Sequence, residues 1–548
     1  MKIVLLEHPR TQSPERCNDI ANTPLSSCLL TGYTAAALLA EGHEVEVIEG
    51  YLEGLSYREI GRRVRQAGPD ILGVHMVYTW GTGKRLAGFL SRLKKEGAAP
   101  FIAAYGYYPT FAAKDLLSGP AGAGPFAIDA VLLGEPELTF AALAGRLASG
   151  RPHGGRPFSP LRDIPGLAKV PGLATAENGG GNFMSSPPVI ARDLDALRFP
   201  LRTGAMWRLP EVSLLGSRGC YGRCAFCHIT SFFGDGSRLW RGRSPENIVL
   251  EIDSVIDSKG ARDFYFTDPQ FFGPGAAGQE RAIRLASMLG ERDIRFGLEA
   301  RANDIKDKSI SALAKAGLRH ILIGIESGSD RVLRRLEKMT SVAENEEAIR
   351  TLRRYGIEPN AGFIMFEPDS SAEDIKENFR FLKRNGLLGN LQVAANVLSH
   401  HQIILGGTET FSALRKEGRL RMETTYEGMP EFRDPQVRAL AVIMRRAANL
   451  VFRSMDGIWS GRVPAPPGAE NTCRRINDFL VGFFEENLER LSSGGRGGGR
   501  DLSADIPEDF IHRAVEEAEA KISELMTGLP VTGFFKQDFF MKQRGQAT

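Results

Sequence analysis

The sequence predicts an α/β protein in three parts: an N-terminal doubly wound parallel sheet (residues 1–150), a central partial (β/α) barrel (206–410) and a mainly helical C-terminal region (411–548). Three observations support this reading. Short apolar runs alternate with amphipathic stretches over the first part, the alternation resumes after a Pro- and Gly-rich interval, and helical periodicity replaces it beyond about 410. Alternating strand and helix favours a parallel sheet, because each helix returns the chain to the same sheet end.

In the first part, KIVLLE (2–7), TGYTAAALLAEG (31–42) and HEVEVIEG (43–50) read as strand, helix and strand. YREIGRRVRQAG (57–68) and DILGVHMV (70–77) supply the next helix and strand, and GTGKRLAGFLSRLKKEG (81–97) and PFIAAYG (100–106) the pair after that. IDAVLLG (128–134) and ELTFAALAGRLASG (137–150) close the series. Ligands of such sheets lie beyond the carboxyl ends of the strands. Residues 151–205, which open with RPHGGRPFSPLRDIPGLAKVPGL, read as a linker between domains.

The barrel strands are VSLLGSRG (212–219), DFYFTD (263–268), RFGLEAR (295–301), HILIGIES (320–327), EPNAGFIMF (358–366) and NLQVAANVL (390–398). Helical stretches such as SPENIVLEIDSVIDSKG (244–260) and VAENEEAIRTLRRYG (342–356) separate them. The C-terminal helices are interrupted by SGGRGGGRD (493–501), which reads as a loop.

Hydrophobic content of 42% with 25% charged residues is ordinary for a globular chain of this length. A net charge of +3 offers no nucleic-acid surface. No apolar run reaches the roughly 18 residues of a membrane span, and MKIVLLEHPR reads as a first strand rather than a secretory signal. Six cysteines are too few for a disulfide scaffold. A reducing, cytoplasmic setting is the expectation.

Half of those cysteines, Cys220, Cys224 and Cys227, fall within GCYGRCAFCHI (219–229). Structural zinc takes four Cys or His ligands; His228 directly follows Cys227 and is hard to aim at the same ion, and Cys473 is far away. An iron–sulfur cube ordinarily takes four thiolates, so three leave one iron open, and an open site is where metal centres do chemistry. Three buried cysteines packing as small hydrophobes is the bland alternative, and it accounts poorly for three in one Gly-flanked loop.

CxxxCxxC after the first strand of a barrel resembles the radical S-adenosylmethionine (SAM) superfamily, with Phe226 before the last cysteine and Gly219 before the first. The resemblance implies a [4Fe–4S] cluster on Cys220, Cys224 and Cys227 whose open iron chelates SAM, and reductive cleavage to a 5′-deoxyadenosyl radical. GLRHILIGIESGSDRVLRRLEKMT (317–340) resembles the family's Gly-x-Glu-Ser-Gly strand end, so Glu326 is expected on the SAM ribose. Phe226, Arg301 and Asp268, the last two at strand ends, are further SAM candidates; a scaffold role is the alternative for both, Glu299 being a possible partner of Arg301. Lys338 matches a lysine frequent in the family, and a solvated helix-face charge is the preferred reading of it.

A flavodoxin-like (Rossmann) sheet before a TIM-type barrel is the arrangement of cobalamin-dependent radical SAM enzymes of the class B methyltransferase type. The resemblance is carried by AAYGYYPTFAAKDLL (103–117) and DAVLLGEPELTFAALAGRL (129–147), and it makes Gly106, Tyr107, Tyr108, Gly134 and Glu135 cobalamin-binding candidates. Tyr78, Thr79, Trp80 and Gly81 join them from the loop after DILGVHMV; His8, Pro9 and Arg10 could reach the same crevice. The sequence lacks the Asp-x-His-x-x-Gly of proteins that ligate cobalt through histidine, and His75 reads as a core residue.

The resemblance implies methylation of an unactivated carbon or a phosphinate phosphorus of a small molecule or peptide, from methylcobalamin, with an external electron donor such as flavodoxin or ferredoxin. A cyclase or rearrangement enzyme of the tetrapyrrole type is the alternative, and a non-catalytic corrinoid or iron–sulfur sensor a further one. A tRNA methylthiotransferase would need a second cluster, for which Cys17, Cys28 and Cys473 are too scattered. His400, His401 and Gln402 form the most polar late stretch and read as an exposed loop start.

Overall fold

The structure, a computed structural model, describes residues 1–9, 29–77, 83–118, 127–149, 166–176, 183–237, 239–459, 463–492 and 506–527. In the N-terminal part, Lys2–Glu7, Glu44–Glu49, Ile71–His75, Phe101–Tyr105 and Ala130–Leu132 form a parallel sheet. The first strand lies between the second and third. Helices Leu29–Ala40 and Pro136–Ser149 cover one face; Tyr57–Ala67, Gly83–Lys95 and Tyr107–Ser118 cover the other. Burial on both faces is why strands such as Ile71–His75 are apolar without alternation. The order reverses between the first and third strands, which opens a crevice beyond Glu7 and His75.

The interval 151–205 is more than a linker. Leu173–Ala176 pairs antiparallel with Ala130–Leu132, and Phe183–Ser185 pairs with Leu173–Ala176, so the sheet has seven strands. The edge of Ala130–Leu132 has backbone groups that need partners, and the returning chain supplies them.

Five parallel barrel strands, Val212–Leu214, Asp263–Phe266, Arg295–Arg301, Leu318–Glu326 and Pro359–Phe363, lie side by side in chain order. Ser217–Gly219 leaves this sheet to pair antiparallel with Trp240–Gly242, so a hairpin brackets the cysteine loop. The sixth predicted strand, NLQVAANVL, is instead the helix Leu391–Val397. The Asn390 side chain caps it, accepting from Gln392 N at 2.8 Å and Val393 N at 3.3 Å. Leu391, Ala394, Ala395 and Leu398 fall on one buried face at helical spacing.

Helices Pro435–Trp459, Ala469–Ser492 and Glu508–Leu525 dominate the C-terminal region. A small antiparallel sheet of Ile404–Leu405, Leu420–Met422 and Glu427–Pro430 precedes them, which the expectation of a mainly helical region missed. Leu405 from this sheet and Tyr426 from the turn before its last strand pack into the N-terminal core beside Tyr108. Among the described residues no helix is long and apolar enough to cross a membrane.

Candidate functional site

The cysteine loop is held at both ends and in its middle. Cys220 N donates to Leu239 O at 2.9 Å, Cys227 N to Cys224 O at 3.0 Å, and Ala225 N to Leu336 O at 3.0 Å. Burial pushes the Cys220 thiol up and the Cys227 thiol up to about 12, while the positive charge of Lys338 works in the opposite direction at both. Arg301 ends its strand beside them, donating from Nη1 to Cys224 Sγ at 3.4 Å and from Nη2 to the Lys338 carbonyl. Its guanidinium lies 5.4 Å from the Tyr221 ring centroid. Glu299, weighed as its ion-pair partner, accepts from the Tyr265 hydroxyl at 3.1 Å.

Glu326 closes the neighbouring strand with φ 63, a left-handed conformation that costs a non-glycine residue roughly 1–2 kcal/mol. Strain of this size persists where the surroundings hold it, and it concentrates at functional sites. Lys338 Nζ donates to Glu326 Oε1 at 2.8 Å, and both side chains are shielded. The expectation that Lys338 is a solvated charge is therefore corrected: the turn after Asp330–Arg335 carries it inward, where Glu326 balances the charge.

Asp268 is fully buried and faces the scaffold. Its Oδ1 accepts from Gly216 N at 2.7 Å and its Oδ2 from Ser217 Oγ at 2.8 Å. Burial lifts its carboxyl to about 6. Both oxygens are used in fixing the strand switch that precedes the cysteine loop, which is the scaffold role given as the alternative for this residue. Phe226 packs against Val332, Leu336 and Ile364, wedging the loop onto the barrel.

At the carboxyl edge of the N-terminal sheet, three adjacent strand ends share one buried network. Thr31 Oγ1 donates to Glu7 Oε1 at 2.5 Å and meets the Tyr105 hydroxyl at 2.8 Å, and His75 Nδ1 lies 2.9 Å from Glu7 Oε1. Gly106 has φ 110, and a Cβ there would lie 2.6 Å from Met76 O, so only glycine fits. Thr110 Oγ1 donates to Gly106 O at 2.8 Å and accepts from Gly134 N at 3.0 Å, stapling the two predicted turns together. Tyr78, Thr79, Trp80, Gly81 and Arg10 lie outside the described residues; His8 is buried.

Glu135 sits in a buried ion cluster. It receives Arg218 Nη1 at 2.8 Å, the Arg241 guanidinium, and Ala191 N at 3.1 Å, while Glu137 receives Arg218 Nη2 at 2.6 Å. All four side chains are buried. The Glu135 carboxylate thereby ties the N-terminal sheet to the hairpin that brackets the cysteine loop.

The three parts meet at His228. The Tyr107 ring centroid lies 4.8 Å from that of His228 and 4.4 Å from Phe232. The Tyr426 hydroxyl lies 3.1 Å from His228 Nδ1, and the Tyr108 hydroxyl 2.8 Å from Thr425 Oγ1. Burial lowers the basicity of His228, with a pKa of about 4, so it stays neutral near pH 7. His400 and His401 are buried, not exposed as expected. His400 O accepts from Met365 N at 3.0 Å and Phe366 N at 3.1 Å, drawing the stretch against the end of a barrel strand. Sequence reasoning also missed Arg218, Glu7 and Tyr426; each is marked by a partner far along the chain, and no local pattern signals it.

Residues 214–382 match the radical SAM superfamily. The chain carries a radical SAM domain. An uncharacterized methyltransferase of Pyrococcus horikoshii is 26% identical over 398 residues, covering 70% of this chain and 78% of the relative. The cytidylyl-2-hydroxyethylphosphonate methyltransferase of Streptomyces wedmorensis is 24% identical over 394 residues, 63% of this chain and 70% of that one. Among solved structures, the cobalamin-dependent SAM radical enzyme OxsB with aqua-cobalamin bound superposes with a TM-score of 0.72 at 18% identity. That match covers 100% of this chain and 84% of OxsB, and it establishes a shared fold.

The radical SAM residues suit an iron–sulfur cluster by their chemistry. Three thiols in one loop, with Arg301 and Lys338 beside them, supply soft anionic ligands and the cations to balance them. Among the described residues no group of three His, Cys, Asp or Glu side chains is arranged around a single ion.

Proposed function

We propose that this protein is a cobalamin-dependent radical SAM methyltransferase acting on a small molecule or peptide, at an unactivated carbon or a phosphinate phosphorus. The contact of Tyr107 with His228 is the observation that favours it: the first residue beyond the Gly106 turn touches the residue after Cys227. A corrinoid over the N-terminal sheet and a cluster in the loop would then face one cavity.

When bound, the cluster and SAM supply a carbon-centred radical and the corrinoid a methyl group. The chain's own residues do the rest. Cys220, Cys224 and Cys227 would hold the cluster. Glu326 offers a carboxylate to the ribose hydroxyls of SAM, and Arg301 a guanidinium suited to its carboxylate. Gly106 leaves backbone free to approach a planar ligand, with Gly134 stapled beside it. Tyr107, Phe111, Phe232 and Tyr426 pack about His228 and keep water from the junction. An external electron donor such as ferredoxin or flavodoxin would deliver the electron.

The similarity to two methyltransferases supports methyl transfer over ring formation. The test is anaerobic reconstitution with iron, sulfide and hydroxocobalamin, followed by SAM and a reductant. Methyl transfer predicts that 5′-deoxyadenosine and S-adenosylhomocysteine form together, and that both depend on cobalamin. Deoxyadenosine without S-adenosylhomocysteine would favour the cyclase reading. Failure to take up any corrinoid would overturn the cobalamin assignment.

A further inference from the structure

We infer that Lys338 is a positioning residue of the radical SAM centre, orienting Glu326 and placing a buried positive charge beside the cysteine loop; the inference rests on that loop holding the cluster.

Backbone geometry is the first argument. Among the described residues the non-glycine positions with positive φ are Glu326 at 63°, Glu337 at 50° and Met339 at 54°. All three surround this one ion pair. Met339 is 75% exposed, so its own side chain gains little from the conformation. What the two strained neighbours achieve is to turn Lys338 inward between them, while Lys338 N donates to Leu333 O at 3.0 Å.

Space is the second argument. A Cβ at Gly324 would lie 2.5 Å from Lys338 Nζ and 2.6 Å from Glu326 Oε1. The glycine two residues before Glu326 therefore keeps open the volume that the lysine and carboxylate share. Connection is the third. The Lys338 carbonyl accepts from Arg301, Arg301 reaches Cys224, and Leu336 O accepts from Ala225 in the middle of the loop. The turn at 336–338 thus contacts the cysteine loop, the Arg301 strand and the Glu326 strand at once.

Two consequences follow from the chemistry. A carboxylate fixed by an ammonium on one oxygen presents its other oxygen in a defined direction, which suits paired ribose hydroxyls. A fixed cation near an anionic cluster stabilises the added electron, so it raises the reduction potential. A pair serving only the fold would cost stability when one partner is removed, but would leave the SAM affinity and the cluster midpoint of the folded protein unchanged.

The experiment compares wild type, Lys338→Met and Lys338→Arg after anaerobic reconstitution. It measures iron content, the SAM dissociation constant by equilibrium dialysis, and the cluster midpoint by an EPR-monitored redox titration. Lys338→Met is expected to keep its iron, bind SAM about tenfold more weakly and shift the midpoint to more negative potential. Lys338→Arg is expected to restore the midpoint while leaving SAM binding weakened, because it keeps the charge and alters its geometry. Wild-type affinity and midpoint in Lys338→Met would overturn the inference. If Lys338→Met fails to hold iron, Lys338→Arg decides: unaltered SAM affinity there overturns it. A wild-type protein that assembles no cluster would instead overturn the parent reading.

Discussion

Arg218 and Glu135 meet at 2.8 Å, fully buried, across the boundary between the hairpin that brackets the cysteine loop and the turn that follows the strand Ala130–Leu132. Arg218 also reaches Glu137 at 2.6 Å and lies 5.0 Å from the Tyr33 ring centroid. Removing the arginine leaves Glu137 buried without its cation. Arg218→Ala is expected to cost about 3–5 kcal/mol, the range for breaking a buried pair from one side. Urea unfolding followed by fluorescence measures it, and a loss under about 1 kcal/mol would show that water or rearrangement replaces the pairing.

Asp268 makes stability depend on pH in an identifiable direction. Burial holds its folded carboxyl near 6, above the ordinary value of about 3.9. The folded state therefore binds the proton more tightly, so this contribution is full below about pH 4 and is lost as pH rises through 6. Its size is at most about 3 kcal/mol. Asp268→Asn is expected to remove it, seen as a smaller difference in unfolding free energy between pH 4.5 and 7. An unchanged pH difference would rule it out.

Gly106→Ala is expected to lose more than about 1 kcal/mol, because the residue needs φ 110 and the new methyl would meet the Met76 carbonyl. Under the proposed function the same change reduces corrinoid uptake, read from the absorption of the reconstituted protein. Full uptake at full stability would show that the turn tolerates a side chain.

Tyr426→Phe removes the hydroxyl that lies 3.1 Å from His228 Nδ1 and leaves a buried ring nitrogen without that partner. The expected cost is about 1–3 kcal/mol. Hydrogen exchange should report it as faster opening of the 420–430 segment, which joins the C-terminal sheet to the other two parts. Exchange at the wild-type rate would show that ring packing alone holds the junction.

Much of this molecule was legible without coordinates. The parallel sheets follow from short apolar runs such as DILGVHMV and HILIGIES alternating with amphipathic stretches, a pattern written locally in the chain. The cysteine loop was equally plain, since three thiols within eight positions need no tertiary information to be noticed. NLQVAANVL misled because a short apolar run fits a strand or a buried helix, and the Asn390 cap decided between them.

The sequence by itself determined the alternating architecture, the thiol loop and the strand ends that flank it, because each is written in neighbouring residues. Tertiary structure alone decided which charges turn inward. Lys338, His400 and His401 took buried environments where exposed ones were expected, since burial and pairing depend on partners that folding brings from elsewhere in the chain. A lysine in a basic helical stretch looks solvated until a carboxylate twelve residues away is placed 2.8 Å from it.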